Sequence, residues 1–273
     1  MRTRIIPSTG EELPVVGLGT WQTFDVGPDP AERAPLREVL RRFFAAGGRV
    51  IDSSPMYGRA EEVVGDLVAE LEPIPGPFLA TKVWTHGQRA GEAQMEESLR
   101  RLRQPRVDLV QVHNLLDVRA HLPTLRAWKE QGRIRYVGIT HYARSAFDEL
   151  ERLLATERLD FVQLPYSVAS REAEKRLLPA ASANGAAVLV MRPFEEGELF
   201  RAVKGRPLPP WAAEIDCTRW SQVFLKFILS HPAVTAVLPA TSNAEHLAEN
   251  VRAGTGRLPD ARLRRRIAQD LGL

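Results

Sequence analysis

Arg33-Ala-Pro-Leu-Arg-Glu-Val-Leu-Arg-Arg-Phe-Phe-Ala-Ala46 runs into Gly47-Gly48, then into Val50-Ile-Asp52 and Ser53-Ser-Pro-Met-Tyr-Gly58. Glu61-Glu-Val-Val-Gly-Asp-Leu-Val-Ala-Glu-Leu71 follows. In the first segment Leu36, Leu40, Phe43 and Phe44 share one side of a helix, and the glycine pair is a helix stop. Val50-Ile51 is a short, fully apolar run of the kind found in buried parallel strands. Val63, Val64, Leu67, Val68 and Leu71 then return at helical spacing. The unit is therefore helix, strand, polar loop, helix.

The same alternation extends along the chain. Further apolar runs are Val15–Leu18, Phe78–Ala80, Leu109–Val112, Tyr136–Ile139, Phe161–Leu164, Ala187–Met191 and Val234–Leu238, with helical patterns at Gln94–Leu102 and Ala143–Leu154. Eight such strands alternating with helices predict an α/β fold, a (β/α)8 TIM barrel, with residues 1–273 as one domain. A doubly wound sheet also alternates, but it usually opens with a glycine fingerprint after its first strand; Gly17-Leu-Gly19 lacks the third glycine and an evident helix. Arg4–Pro14 reads as a β-hairpin turning at Ser8–Gly10, which would cap the bottom of the barrel. Pro73–Pro77 and Arg206–Pro210 are short enough to be loops.

Composition narrows the function. The 273 residues are 44% hydrophobic and 26% charged, ordinary for a soluble globular chain. The formal charge is +3 while the pI is about 9.2, because the basic residues are almost all arginine. They alternate with acids along helices, as in Arg37, Glu38, Arg41 and Arg42, so no nucleic-acid partner is expected; Arg264–Arg266 reads as a solvated helix face. No apolar run reaches the length of a membrane span, and the N-terminus is too poor in apolar residues for an export signal. A single cysteine, Cys217, allows no internal disulfide and points to the cytoplasm. No metal site is expected.

In a barrel, reactive residues cluster at the C-terminal ends of the strands. Here those ends carry Asp52 to Tyr57, Thr81-Lys82, Gln111-Val-His113-Asn114, Gly138-Ile-Thr140-His141 and Gln163. Such a gathering costs desolvation unless the groups pair, so it marks a candidate site. Lysine occurs only at 82, 129, 175, 204 and 226, so a lysine ending a buried strand indicates that its titratable amine is needed.

These residues resemble the aldo-keto reductases over nearly the whole chain. The matching stretches are Gly17-Leu-Gly19-Thr20-Trp21, Ile51-Asp52 to Tyr57-Gly58 with Glu61, Thr81-Lys82, Val112-His113, Gly132 to Thr140, Gln163 and Thr241 to Asn250. The resemblance implies a NADPH-dependent reductase of aldehydes or ketones, NADH also being accepted, with Tyr57, Asp52, Lys82 and His113 as catalytic residues. A phenol near pKa 10 is a sluggish acid at neutral pH; a neighbouring ammonium, Lys82, would lower that value. Asp52 would keep Lys82 charged and in place, and neutral His113 would donate to the carbonyl oxygen.

The resemblance also implies a cofactor site. Gly19, Thr20, Trp21 and Asp52 would lie near the nicotinamide, and Thr140, His141 and Gln163 at its carboxamide. His141 departs from the family's asparagine, and an imidazole does not reproduce an amide's geometry. Met191, where relatives often stack an aromatic, would cover the ring. Arg192, Pro193 and Phe194 would approach the pyrophosphate, although Arg192 could equally pair with Glu195 or Glu196. Thr241, Ser242 and Asn243 would hold the adenosine phosphate at a helix N-terminus, with His246, Glu249 and Asn250 beyond it. Ala240 and His246 replace a lysine and an arginine common in the family, which weakens the preference for NADPH.

Trp21, Met56, Tyr57, Trp84 and His113, with His86, would line a substrate pocket for small-molecule carbonyl compounds with apolar bulk, large or varied ones included. The short segment after Asn250 implies an open pocket and a monomer. Two other readings remain: a cofactor-holding, redox-sensing regulatory subunit, and a Schiff-base lyase using Lys82 as nucleophile. The lyase needs a lysine of lowered pKa, and Asp52 predicts a retained ammonium.

Overall fold

The computed structural model describes residues 1–71 and 76–273. Part of the proline-rich loop expected over 73–77 therefore lies outside the described residues. Eight strands form one parallel sheet in chain order: β3 (Leu18–Gly19), β4 (Val50–Asp52), β5 (Phe78–Val83), β6 (Val107–His113), β7 (Ile134–Thr140), β8 (Phe161–Pro165), β9 (Ala187–Met191) and β10 (Val234–Val237). Parallel bridges Val16↔Val237 and Gly19↔Ala240 join the last strand to the first. Backbone bonds reinforce that seam, with Gly17 N donating to Val237 O at 2.9 Å and Gly19 N to Pro239 O at 3.0 Å. The sheet is thus a closed barrel, as the alternation predicts.

The expected hairpin is present as β1 (Thr3–Ile5) and β2 (Glu12–Pro14), paired antiparallel. Its turn returns through Gly10 at φ +78°, a conformation that favours glycine. Ile6 and Leu13 are fully buried in an inner cluster with Val50, Phe78, Leu109, Tyr136 and Phe161, so the hairpin floors the barrel. The Phe78, Tyr136 and Phe161 rings lie 5.4 to 5.9 Å apart in tilted, stacked and edge arrangements that fill the floor. Tyr136 keeps its hydroxyl satisfied by donating to Glu11 Oε2 at 2.6 Å.

Side chains on a strand alternate faces, so residues two apart share one. Val50 and Asp52, Ala80 and Lys82, Leu109 and Gln111, and Phe161 and Gln163 are such inward pairs. In each the first residue joins the apolar floor and the second a polar layer above it. This alternation sets the reactive groups at one end.

Ten α-helices lie around the barrel among the described residues. Helix α1 (Pro30–Ala45) begins three residues before the apolar pattern, because Asp29 caps it and Pro30 takes the first turn. Gly48 closes it; a Cβ there would stand 2.3 Å from the Phe43 ring. Helix α2 (Ala60–Glu70) matches its expected span, whereas α3 (Gln88–Arg101) starts six residues before the expected Gln94. The Ala143–Leu154 pattern is a 3-10 turn at Arg144–Ala146 followed by α5 (Phe147–Thr156). Helices α4 (Val118–Glu130), α6 (Leu177–Ala183), α7 (Glu198–Ala202) and α8 (Trp220–Leu229) were not among the sequence expectations. Helices α9 (Ala244–Arg252) and α10 (Ala261–Asp270) bear the Thr241–Asn250 motif and the arginine cluster. None of the described helices is long and apolar enough to cross a membrane.

Candidate active site

Asp52, Lys82 and His113 come together at the C-terminal ends of adjacent strands β4, β5 and β6, and the loop after β4 brings Tyr57 over them. Lys82 is fully buried, and its Nζ donates to Asp52 Oδ2 and to Ser53 O, both at 2.7 Å. Two of its three N–H donors are thereby used. The ammonium stands 4.9 Å from the Tyr57 ring centroid, close enough to act on the phenol. Burial alone would lower the Lys82 pKa, but the opposing charge of Asp52 and the nearness of Tyr57 leave it raised. Lys82 is an ammonium.

Tyr57 corrects one expectation. Burial pushes its pKa up, Lys82 pulls it down, and burial wins, so the phenol is raised rather than lowered. The lysine therefore limits a rise caused by desolvation. The ring is nonetheless kept in its protonated form, the state an acid needs.

His113 stands edge-on to Tyr57, with centroids 5.9 Å apart, and 6.4 Å from Trp84. Burial first, then the charge of Lys82, depresses its pKa to about 3, so the ring is neutral. Its Nδ1 is 3.1 Å from Ser54 Oγ, which also receives the Met56 backbone N–H at 3.4 Å. A hydroxyl donating to Nδ1 would leave the ring proton on Nε2, free for a ligand.

Sequence reasoning gave no role to Gln111, Ser53, Ser54 or Glu61. Gln111 Nε2 donates to Asp52 Oδ1 at 3.2 Å. Thr20 Oγ1 donates to Asp52 O at 3.0 Å and can accept from Ser53 Oγ, also 3.0 Å away. Glu61, fully buried behind β5, accepts from Thr81 Oγ1 at 2.5 Å. For Gln111 the signal was polarity inside an otherwise apolar strand, whereas Ser53 and Ser54 lie in a polar loop that carries no such signal.

Beyond Gly19 to Trp21, the remaining residues expected at the cofactor lie on or after β7 to β10. Thr140 Oγ1 donates to Gln163 Oε1 at 3.1 Å, leaving Gln163 Nε2 buried and without a partner. An unmet buried donor beside a hydroxyl suits a primary carboxamide, so this corner fits nicotinamide. His141 Nδ1 accepts from Ala143 N at 3.0 Å, which leaves only Nε2 for a ligand. Met191 ends β9. Arg192, at φ +55°, pairs with Glu196 at 3.0 Å, the alternative weighed from sequence. Pro193 is buried, and the Phe194 ring packs 4.8 Å from that of Phe200.

Asn243 caps α9, its Oδ1 accepting from the backbone of Glu245 at 2.8 Å and His246 at 3.2 Å. Thr241 Oγ1 accepts from Asn243 N at 3.0 Å. Ser242 and His246 are exposed, Asn250 is buried, and Glu249 pairs with Arg219 at 3.1 Å. A cleft of about 180 Å³ lined by Arg219, Gln222, Glu245, Glu249 and Arg252 lies between the start of α8 and α9. Around the mouth, Trp21, Met56 and Trp84 are 44%, 39% and 40% exposed, large apolar surfaces open to solvent. His86 is exposed too.

The sequence model described as the Aldo/keto reductase family matches residues 15–266. Methylglyoxal reductase YeaE of Escherichia coli is 28% identical over 92% of this chain and 89% of its own length. Aldo-keto reductase YhdN of Bacillus subtilis is 29% identical over 66% of this chain and 58% of its own. A crystal structure of a thermostable aldo-keto reductase in complex with the inhibitor epalrestat is 26% identical, covers all of both chains and superposes with a TM-score of 0.80. An aldo/keto reductase from Klebsiella pneumoniae, in complex with NADP and acetate, shares the fold at a TM-score of 0.81 and 24% identity, over 99% of this chain and 95% of its own. With a closed barrel, four reactive residues at one end and a match over residues 15–266, the chain belongs to the aldo/keto reductase family, enzymes that reduce aldehydes or ketones to alcohols with a nicotinamide cofactor.

Proposed function

We propose that Tyr57, Lys82, Asp52 and His113 carry out carbonyl reduction in this enzyme, with NADPH as the preferred cofactor and NADH accepted. The observation that carries the reading is the buried Lys82, fixed by Asp52 at 2.7 Å and 4.9 Å from the Tyr57 ring. The nicotinamide, when bound, supplies the hydride that the carbonyl carbon receives. Tyr57 gives its hydroxyl proton to the carbonyl oxygen, and the Lys82 ammonium stabilises the phenolate left behind. Asp52 keeps Lys82 charged. His113 donates its Nε2 proton to the same oxygen, polarising it without adding a charge.

Thr140 and Gln163 would hold the carboxamide, with Gly19, Thr20, Trp21 and Met191 around the ring. Arg192, Pro193, Phe194, Thr241, Ser242, Asn243, His246, Glu249 and Asn250 would follow the cofactor outward. Trp21, Met56 and Trp84 favour substrates with apolar bulk. We assign the activity to one catalytic domain working as a cytoplasmic monomer; a free, buried Cys217 agrees with a reducing compartment. The raised pKa of Lys82 speaks against a Schiff-base lyase, whose nucleophile must be a neutral amine.

The test is NADPH oxidation, followed by absorbance, with an activated aromatic aldehyde. Tyr57→Phe should lower kcat by about 10²- to 10⁴-fold with NADPH affinity nearly unchanged. A variant that stays active removes Tyr57 as the acid. No turnover across a broad carbonyl panel, with cofactor bound, supports a regulatory subunit instead.

A further inference from the structure

Gln111 stands where the apolar pattern of β6 calls for a hydrocarbon side chain. It is fully buried, in the strand Val107-Asp-Leu-Val-Gln-Val-His113, and shares the inward face with Leu109 below and His113 above. A buried primary amide costs desolvation unless each donor and acceptor is met, so its presence asks for a reason. Its Nε2 donates to Asp52 Oδ1 at 3.2 Å, while its Oε1 has no partner. A side chain that leaves one buried atom unmet to reach one carboxylate oxygen is placed there by that carboxylate.

The geometry divides the two oxygens of Asp52. Oδ2 takes the Lys82 ammonium at 2.7 Å and Oδ1 takes Gln111. We propose that Gln111 is a positioning residue that locks the Asp52 carboxylate in the rotation that presents one oxygen to Lys82, and so fixes the ammonium beneath Tyr57. Gly138 on the neighbouring strand makes room for it, because a Cβ there would stand 3.0 Å from Gln111 Cγ. Without Gln111, Oδ1 becomes a buried, unmet acceptor, and the carboxylate can turn both oxygens toward Lys82. The ammonium then follows the carboxylate and draws away from the phenol.

The readout is the ionisation of Tyr57. The charged or titratable groups facing that phenol are Asp52 from β4, Lys82 from β5 and His113 from β6; His113 is neutral, so Lys82 supplies the attraction and Asp52 opposes it. A nearby opposite charge shifts a pKa by about 1–3 units, and part of that shift depends on the Lys82 position.

The inference rests on Tyr57 being the proton donor. The experiment is the pH profile of alcohol oxidation, where the Tyr57 phenolate is the base, compared between wild type and Gln111→Met. Methionine has nearly the same shape and no donor. The profile should move upward by about half a unit or more. NADP binding, measured by fluorescence quenching, should stay within about twofold, since Gln111 is not among the residues expected at the cofactor and Asp52 keeps its charge and its place. In an Asp52→Asn background the same substitution should shift nothing further. An unshifted Gln111→Met profile, or an equal shift with and without Asp52, overturns the proposal. Should the methionine variant not fold, Gln111→Glu replaces it; its carboxylate opposes Asp52 and must also move the profile, or the proposal fails. A wild-type profile with no ionisation that Tyr57→Phe removes would instead overturn the role of Tyr57 itself.

Discussion

Ser54 Oγ lies 3.1 Å from Nδ1 of His113, so that ring nitrogen is turned toward the loop after β4. We take the serine hydroxyl as the donor to Nδ1, the direction that a hydrogen bond from Nε2 to a carbonyl requires. Nε2 then carries the only ring proton, which is the one a carbonyl oxygen can use. Ser54→Ala should therefore cost kcat about two- to tenfold, the worth of one hydrogen bond, with NADPH affinity unchanged. Steady-state kinetics at saturating cofactor decide it; an unaltered kcat means the tautomer is set elsewhere.

The depressed pKa of His113 gives a pH signature. Free histidine titrates near 6.5 and the folded one at about 3. Between those values the unfolded chain binds the extra proton and the folded chain does not. The associated stability is complete above pH 6.5 and is lost as pH falls toward 3. We expect kcat to cross pH 6.5 without inflection while Tm declines on acidification below it, and His113→Gln to flatten part of that decline. A kcat inflection near 6.5 that disappears in His113→Gln would contradict a neutral imidazole.

The adenosine end allows a gain of function. Ala240 and His246 are exposed and stand where the family often has lysine and arginine. Ala240→Lys with His246→Arg should tighten NADPH by about tenfold and leave NADH nearly unchanged, because only NADPH carries the extra phosphate for a charged fork. Titration of intrinsic fluorescence with each cofactor measures it. Equal tightening of both would show that the new side chains touch a part common to the two.

Stability has its own sensitive point at the end of α1. Gly48→Ala would drive a methyl group to within 2.3 Å of the buried Phe43 ring. Overpacking of this kind costs about 1–3 kcal/mol. Thermal unfolding should report a lower Tm with kcat preserved. An unchanged Tm would mean that the ring has room to turn aside.

The barrel was legible because buried strands and amphipathic helices have different periods, and Val50-Ile51 beside the Glu61–Leu71 pattern shows both within a few residues. Helix starts were less so: α3 begins at Gln88, in polar residues with no apolar rhythm, and α5 gives up its first turn to a 3-10 segment. Strand β3 has only two residues, and its closure onto β10 depends on neighbours more than 200 residues away. The four proposed catalytic residues could be picked out because Asp52, Lys82 and His113 lie at strand ends and Tyr57 in the loop that follows β4. Gln111 and Ser54 fell within the strand-end stretches, but their roles were not legible, since these lie in partners on other strands. The raised pKa of Tyr57 was likewise hidden, because a sequence reveals which charges are near but not how much water is excluded.

The inward pairs of residues also set what the chain can survive by insertion. One extra residue in β5 ahead of Ala80 would turn Ala80 and Lys82 to the outer face together, losing a piece of the floor and a reactive group in a single event. Two extra residues between them would keep the face but lift Lys82 by roughly 6–7 Å along the strand, away from Asp52. Length changes can therefore accumulate in the connecting loops, while each barrel strand is held to a fixed count.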